Sequence, residues 1–176
     1  MINLPAPNKI TLHWTAGRYI SNLIDQADYH GLICQKQNTG TKFTYIKLAN
    51  YHETRQHCWH ENTGNIGIAI CGMYNAVEYN FGNYPIMPEQ LEILYQVVSE
   101  ICQLKNIPVE KVFTHAERAV IMGYGVESGD AQVRWDLAIL KPLSAGERLS
   151  NILVTKTANT LRKKIAEKKG FLWHSR

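Results

Sequence analysis

The sequence predicts a single α/β (or α+β) domain, a central mixed β-sheet flanked by helices. Three observations carry this reading. Short β-rich runs at residues 9–14, 29–34, 42–48 and 65–71 are separated by turn-forming stretches. Residues 88–106 repeat apolar side chains at helical spacing, a stripe that needs a sheet or another helix to cover it. The chain has 176 residues, 45% of them hydrophobic and 19% charged, which suits one globular domain and argues against a disordered chain.

The first strand is Lys-Ile-Thr-Leu-His-Trp at residues 9–14. The small-residue break Thr15-Ala16-Gly17 ends it and leaves His13 near its C-terminal end. Residues 29–34 and 42–48 are the next strands, separated by the turn formers Gln37-Asn38-Thr39-Gly40. Residues 65–71 are almost continuously apolar, as expected of a central strand covered on both faces. Residues 75–87, rich in Asn, Tyr and Gly, read as a loop. Pro88 and Glu89 then open the clearest helix, with Leu91, Leu94, Tyr95, Val98, Ile101 and Cys102 on one face and an end near Asn106. Residues 112–114 form a short strand that delivers His115, and residues 116–135 read as a Gly-rich loop. A last helix is expected over about residues 145–169, with Leu149, Ile152, Leu153, Leu161 and Ile165 as its apolar positions. The expected division is a main unit at residues 1–145 and a basic amphipathic C-terminal helix or tail at residues 146–176.

Several function classes drop out. The longest apolar runs, such as residues 66–71, are far short of the roughly 18–20 residues a bilayer-crossing helix needs. No charged leader followed by an apolar stretch opens the sequence, so no signal peptide is expected. The net charge of +4 is misleading, because residues 156–176 hold seven Lys/Arg against one acid and leave the rest at −2. The main body therefore lacks the basic footprint of a nucleic-acid binder, and a monomer without a nucleic-acid partner is expected. The tail suits an anionic envelope surface, or equally the solvated face of a packed helix. Cys34, Cys58, Cys71 and Cys102 are scattered and expected to be reduced, with Cys71 and Cys102 as small buried hydrophobes.

Histidine is the residue type with most to say. His13 and His115 both stand at predicted strand ends, where a sheet can aim a side chain into a cleft. Asp130 follows His115 by 15 residues in a loop beside Gly129. Two histidines and a carboxylate are a common set for catalytic zinc, leaving a fourth position for water. Their separations match no local zinc motif, so spacing alone leaves structural hydrogen bonding open. His52, His57, Cys58 and His60 crowd one loop without a usual zinc spacing, and His30 is expected to face the core or an adjacent loop.

Four blocks, in order, add to this. They are Ile10-Thr11-Leu12-His13-Trp14-Thr15-Ala16-Gly17, Asp28-Tyr29-His30-Gly31-Leu32-Ile33, Trp59-His60-Glu61-Asn62 through Ile66-Gly67-Ile68-Ala69-Ile70-Cys71-Gly72, and Thr114-His115-Ala116-Glu117 with Gly129-Asp130 and Arg134-Trp135-Asp136-Leu137. Together they resemble the type-2 N-acetylmuramoyl-L-alanine amidases, which share the peptidoglycan-recognition-protein fold. The resemblance covers roughly residues 9–140. It implies zinc held by His13, His115 and Asp130, with Asp136 as the second candidate, preferred as a loop anchor. It implies hydrolysis of the amide joining the lactyl group of N-acetylmuramic acid to L-alanine of the stem peptide. Tyr29 matches the tyrosine that holds water or oxyanion in phage lysozyme-type members, and Ala69 stands where other members carry a glutamate. Phage-type members often have a lysine two residues before the third ligand. Ser128 stands there when Asp130 is that ligand, so Ser128 or Arg134 is expected to replace it. His60, Trp14 and Arg134 are the substrate-binding candidates. The role implied is a phage or prophage endolysin, bacteriolytic, held in the host bacterial cytoplasm until released to the periplasm and cell wall. The alternatives are a recognition module that holds peptidoglycan without cutting it, and an amidase toxin delivered by secretion.

Overall fold

Five strands, β1 (Lys9–Trp14), β2 (Gly31–Gln35), β3 (Phe43–Lys47), β4 (Asn65–Ile70) and β5 (Val112–Thr114), join in one mixed sheet in the order β3-β2-β4-β1-β5. The computed structural model describes residues 6–36, 41–129 and 135–168. β1 lies parallel to β4 and β5, β2 lies parallel to β4, and β2 and β3 pair antiparallel. β4 is the middle strand and is buried at every residue, which its unbroken apolar sequence anticipates.

Period-two alternation divides the sheet's two faces. Ile10, Leu12 and Trp14 of β1 and Ile66, Ile68 and Ile70 of β4 belong to the main core. Leu94, Val98 and Ile101 of helix α2 (Pro88–Lys105) and Leu161 and Ile165 of helix α4 (Asn151–Glu167) close that core from the helical side. The intervening residues, Thr11 and His13 on β1 and Asn65, Gly67 and Ala69 on β4, face the other way. That second face carries the site.

α2 begins with Pro88 at its first turn, the Met87 N–H donating to Gln90 Oε1 at 3.0 Å, and ends on Asn106 in the left-handed region at φ 53°. α4 starts later than its sequence suggests. Ser150 caps it by accepting from the Leu153 N–H at 3.2 Å, which sets the phase of the turns that follow. Val154, Ala158, Leu161 and Ile165 then point inward, while Ile152, expected among the apolar positions, is 82% exposed. α4 packs on α2 and on a short helix that the sequence reading takes for loop, α3 (His115–Ile121). A further short helix, α1 (Leu23–Asp28), is unanticipated, being held by a reciprocal Asn22–Asp25 capping box with Leu23 and Ile24 exposed. The turn expected at residues 37–40 lies outside the described residues. All four cysteines are free, and Cys34, Cys58 and Cys71 are buried.

Candidate metal centre

His13 is the fifth residue of β1 and is fully buried. His115 opens α3, where Thr114 caps the helix by accepting from the Glu117 N–H at 3.1 Å, so strand end and helix start together fix its backbone. The third group is Asp136. Its backbone carbonyl accepts from the Ala116 N–H at 3.1 Å, tying its loop to the first turn of α3. On either side, Trp135 packs edge-on against Trp14 with ring centres 4.6 Å apart, and Leu137, Ala138 and Ile139 are buried. Asp136 Oδ2 stands 3.4 Å from His13 Nδ1 and 3.2 Å from His115 Nδ1.

Burial first, and then the nearby His115, lower the pKa of His13 to about 4, against the opposing pull of Asp136. The ring is therefore neutral at pH 7, the form that ligates metal. Burial alone would raise the Asp136 pKa, but the facing His115 and His13 rings outweigh it and hold the carboxylate ionised well below the usual range. Burial lowers His57 as well, with His13 adding to the effect. These shifts have one sign. Between pH 6.5 and 4 the unfolded chain takes up a proton at position 13 that the folded ring refuses. The metal-stripped protein is expected to lose about 3 kcal/mol from this group as pH falls through that window. Urea midpoints from pH 7 to pH 4 measure it, and a midpoint that stayed flat would contradict a buried neutral His13.

Two imidazole nitrogens and one carboxylate oxygen, all within 4.8 Å of one another, are a donor set that fits zinc. Ligands about 2.0–2.1 Å from a tetrahedral ion are about 3.3–3.4 Å apart, close to the two nitrogen–oxygen separations found. Tyr29, half-buried at the end of α1, places its ring centre 5.2 Å from that of His13. Burial, and then Asp136, raise its pKa above the ordinary phenol value, so it keeps its proton as a donor.

Of the residues expected from sequence, His13, His115 and Tyr29 come together here. Asp130 and Arg134 lie outside the described residues, and Asp136 is the carboxylate that completes the described cluster. Trp14 is 4% exposed and sits in the main core, on the face of β1 away from His13. Ser128 is exposed in a turn closed by its N–H on the Gly125 carbonyl. His60 has φ 59° and its ring lies tilted against that of the exposed Trp59, ring centres 3.9 Å apart. His30 is buried, accepting from the Gly67 N–H at Nδ1 and facing the Glu53 carbonyl at Nε2, which makes it a structural link between loop and sheet. His57, set aside in the sequence reading, touches the site directly, its Nδ1 3.1 Å from His13 Nε2.

The family model for N-acetylmuramoyl-L-alanine amidase matches residues 3–130. The chain belongs to this family. No curated protein matches it by sequence. Among solved structures, a point mutant of PlyL superposes on this family member with a TM-score of 0.55 at 16% identity, over 92% of this chain and 85% of that one. AmpDh3 from Pseudomonas aeruginosa gives 0.52 at 18% identity, over 66% and 53%. AmiD from E. coli, an N-acetylmuramyl-L-alanine amidase in complex with the substrate anhydro-N-acetylmuramic acid-L-Ala-D-gamma-Glu-L-Lys, gives 0.50 at 22% identity, over 66% and 51%. These likenesses are of fold, the mixed α/β sheet expected from the sequence. The match spans about half the length of the AmiD and AmpDh3 chains.

Proposed function

We propose that this protein is a zinc-dependent peptidoglycan hydrolase that cleaves the amide between the lactyl group of N-acetylmuramic acid and L-alanine of the stem peptide. The observation that carries the reading is the convergence of His13, His115 and Asp136 beside Tyr29, in a chain of the amidase family. Asp136 as third ligand also changes the register of the loop. Arg134 then stands two residues before it, where the phage-type amidases that the sequence resembles often carry lysine, so the cation falls to Arg134 and not to Ser128.

Zinc bound by two imidazoles and a carboxylate supplies a polarised scissile carbonyl and a bound water that ionises near neutral pH. The chain's own groups do the rest. His13 and His115 come from the ends of neighbouring parallel strands and Asp136 from a loop pinned by buried neighbours, so the donor set is rigid before substrate arrives. Tyr29 donates its O–H to the attacking water or to the oxygen that gains charge as the carbonyl carbon turns tetrahedral. Ala69, paired in register with His13, offers no carboxylate that could share this task. Arg134 is assigned the stem-peptide carboxylate through a bidentate fork, and His60 the wall of the groove.

The role we assign is a phage or prophage endolysin, monomeric, held in the host cytoplasm and reaching the wall at lysis. A neighbouring holin gene would support this role, and an immunity gene would point instead to a delivered toxin. Lys156, Lys163 and Lys164 on the exposed side of α4 favour anionic envelope surfaces. Mass spectrometry of digested sacculi tests the chemistry. Free stem peptides are expected, new reducing sugar ends would mean a glycosidase, and intact sacculi would mean a binding module. Tyr29→Phe is expected to keep zinc and melting temperature while lowering kcat by about 100- to 1,000-fold. Unchanged turnover would remove Tyr29 from the mechanism.

A further inference from the structure

His57 lies in the segment between β3 and β4, 7% exposed, with its ring against Gly67 of β4. A Cβ at position 67 would stand 2.5–2.7 Å from Cγ, Cδ2 and Nδ1 of that ring, so the imidazole fills the space a side chain on the strand would need. Both ring nitrogens are engaged. Nε2 is 3.0 Å from the Asn65 carbonyl oxygen, and Nδ1 is 3.1 Å from Nε2 of His13. Asn65 is itself held, its Oδ1 accepting from Thr11 Oγ1 at 3.0 Å and its Nδ2 donating to the Glu61 carbonyl at 2.9 Å.

This chain of contacts fixes the protons. A carbonyl oxygen only accepts, so Nε2 of His57 carries its ring's hydrogen. A neutral imidazole has one N–H, so Nδ1 of His57 accepts and Nε2 of His13 donates to it. The same count leaves Nδ1 of His13 as a bare lone pair, 3.4 Å from the Asp136 carboxylate oxygen. Two electron-rich atoms at that separation repel unless a cation lies between them.

We propose that His57 is a positioning residue that holds the proton of His13 on Nε2 and thereby presents Nδ1 of His13 as a metal ligand. The inference rests on the zinc reading above and deepens it. His57 acts through His13 alone, by fixing tautomer and ring orientation, as partners behind metal-bound histidines do. Gly67 belongs to the arrangement because it alone leaves room for the ring.

The test begins with the wild-type, metal-stripped protein carrying ¹⁵N-labelled histidine. A coupling through the hydrogen bond between His13 Nε2 and His57 Nδ1 is expected, with His13 Nδ1 resonating as an unprotonated nitrogen. His57→Leu keeps the apolar bulk and removes the acceptor. Competition with a chromogenic chelator should then show zinc bound about 10- to 100-fold more weakly, with the His13 proton shared between its nitrogens. His57→Asn, whose Oδ1 can accept in place of Nδ1, should recover most of that affinity. If His57→Leu does not fold, Gly67→Ala displaces the ring without deleting a polar group and should weaken zinc binding in the same direction. The inference is overturned if wild-type His13 carries its proton on Nδ1. It is equally overturned if a folded His57→Leu or Gly67→Ala binds zinc within about threefold of wild type. The coupling is read without metal. A wild type that took up no zinc would therefore end the zinc reading while the place of the His13 proton was still decided.

Discussion

A chain cut before Thr160 is expected not to fold stably. The cut removes Leu161 and Ile165, each 1% exposed in the main core, and a large-to-small change at one such position costs about 2–5 kcal/mol. It also removes Arg162. That guanidinium grips Glu117 through two hydrogen bonds of 2.7 and 2.8 Å and donates to the Val112 carbonyl at 2.8 Å. Glu117 is 6% exposed, and a buried carboxylate stripped of its partner costs about 3–5 kcal/mol. The total, about 7–15 kcal/mol, is comparable to the whole 5–15 kcal/mol by which domains of this kind are stable. Melting temperature, hydrolysis of soluble muropeptides and lysis of whole cells should all collapse together. If the truncated chain melted like the full one, α4 would be an appendage. Envelope attraction needs a gentler variant, because Arg162 holds the buried Glu117 and Lys168 reaches Glu92 of α2 at 2.6 Å, whereas Lys164 pairs only with the exposed Glu167 of its own helix at 3.1 Å. Changing Lys156, Lys163 and Lys164 to Gln should leave the fold and the soluble assay intact. Whole-cell action should weaken, by a margin that shrinks as salt shortens the screening length.

Asp136→Ala is the second large effect. It deletes the carboxylate that, among the described residues, faces both histidines, and should weaken zinc binding by at least about 100-fold, the upper end of what a mere supporting residue costs. Activity on sacculi should fall with it. Backbone contacts from Ala116 and the packing of Trp135 survive the change, so the loop should stay in place. Metal analysis of Asp136→Ala beside Asp130→Ala decides between the two carboxylates. Loss of zinc in the Asp130 variant alone would return the ligand role to Asp130.

The parts of the fold with a regular period were legible. β1, β4 and α2 match their expected limits to within a residue, because a two-sided apolar strand and an 18-residue stripe both write burial into the sequence. The short helices were not. α1 has six residues and exposes Leu23 and Ile24, so no periodic stripe exists to be read. α3 did leave a signal, since Thr114-His115-Ala116-Glu117 has the Ser/Thr-x-x-Glu spacing of a helix start, but the glycines after it suggested loop. At the site, the histidines were legible from their strand ends and the family-like blocks around them. That Asp136 would face them was not, because its place depends on tertiary packing. Trp135 must find Trp14, and the apolar residues after Asp136 must find the core. His57 was invisible for the same reason, being placed by a glycine ten residues later on another element.

The tie between Asp136 and α3 also dictates how late in synthesis the proposed metal centre can assemble. His13 and Asp136 are 123 residues apart and His115 and Asp136 only 21, so the first histidine is made long before the carboxylate and the second shortly before it. Nor is that enough, because Arg162, which bonds Glu117 of α3 and the Val112 carbonyl of β5, lies 26 residues further along. A chain stalled before Asp136 therefore carries the two imidazoles without the carboxylate that faces them both. The proposed metal centre is therefore completed only in chains synthesised past Arg162.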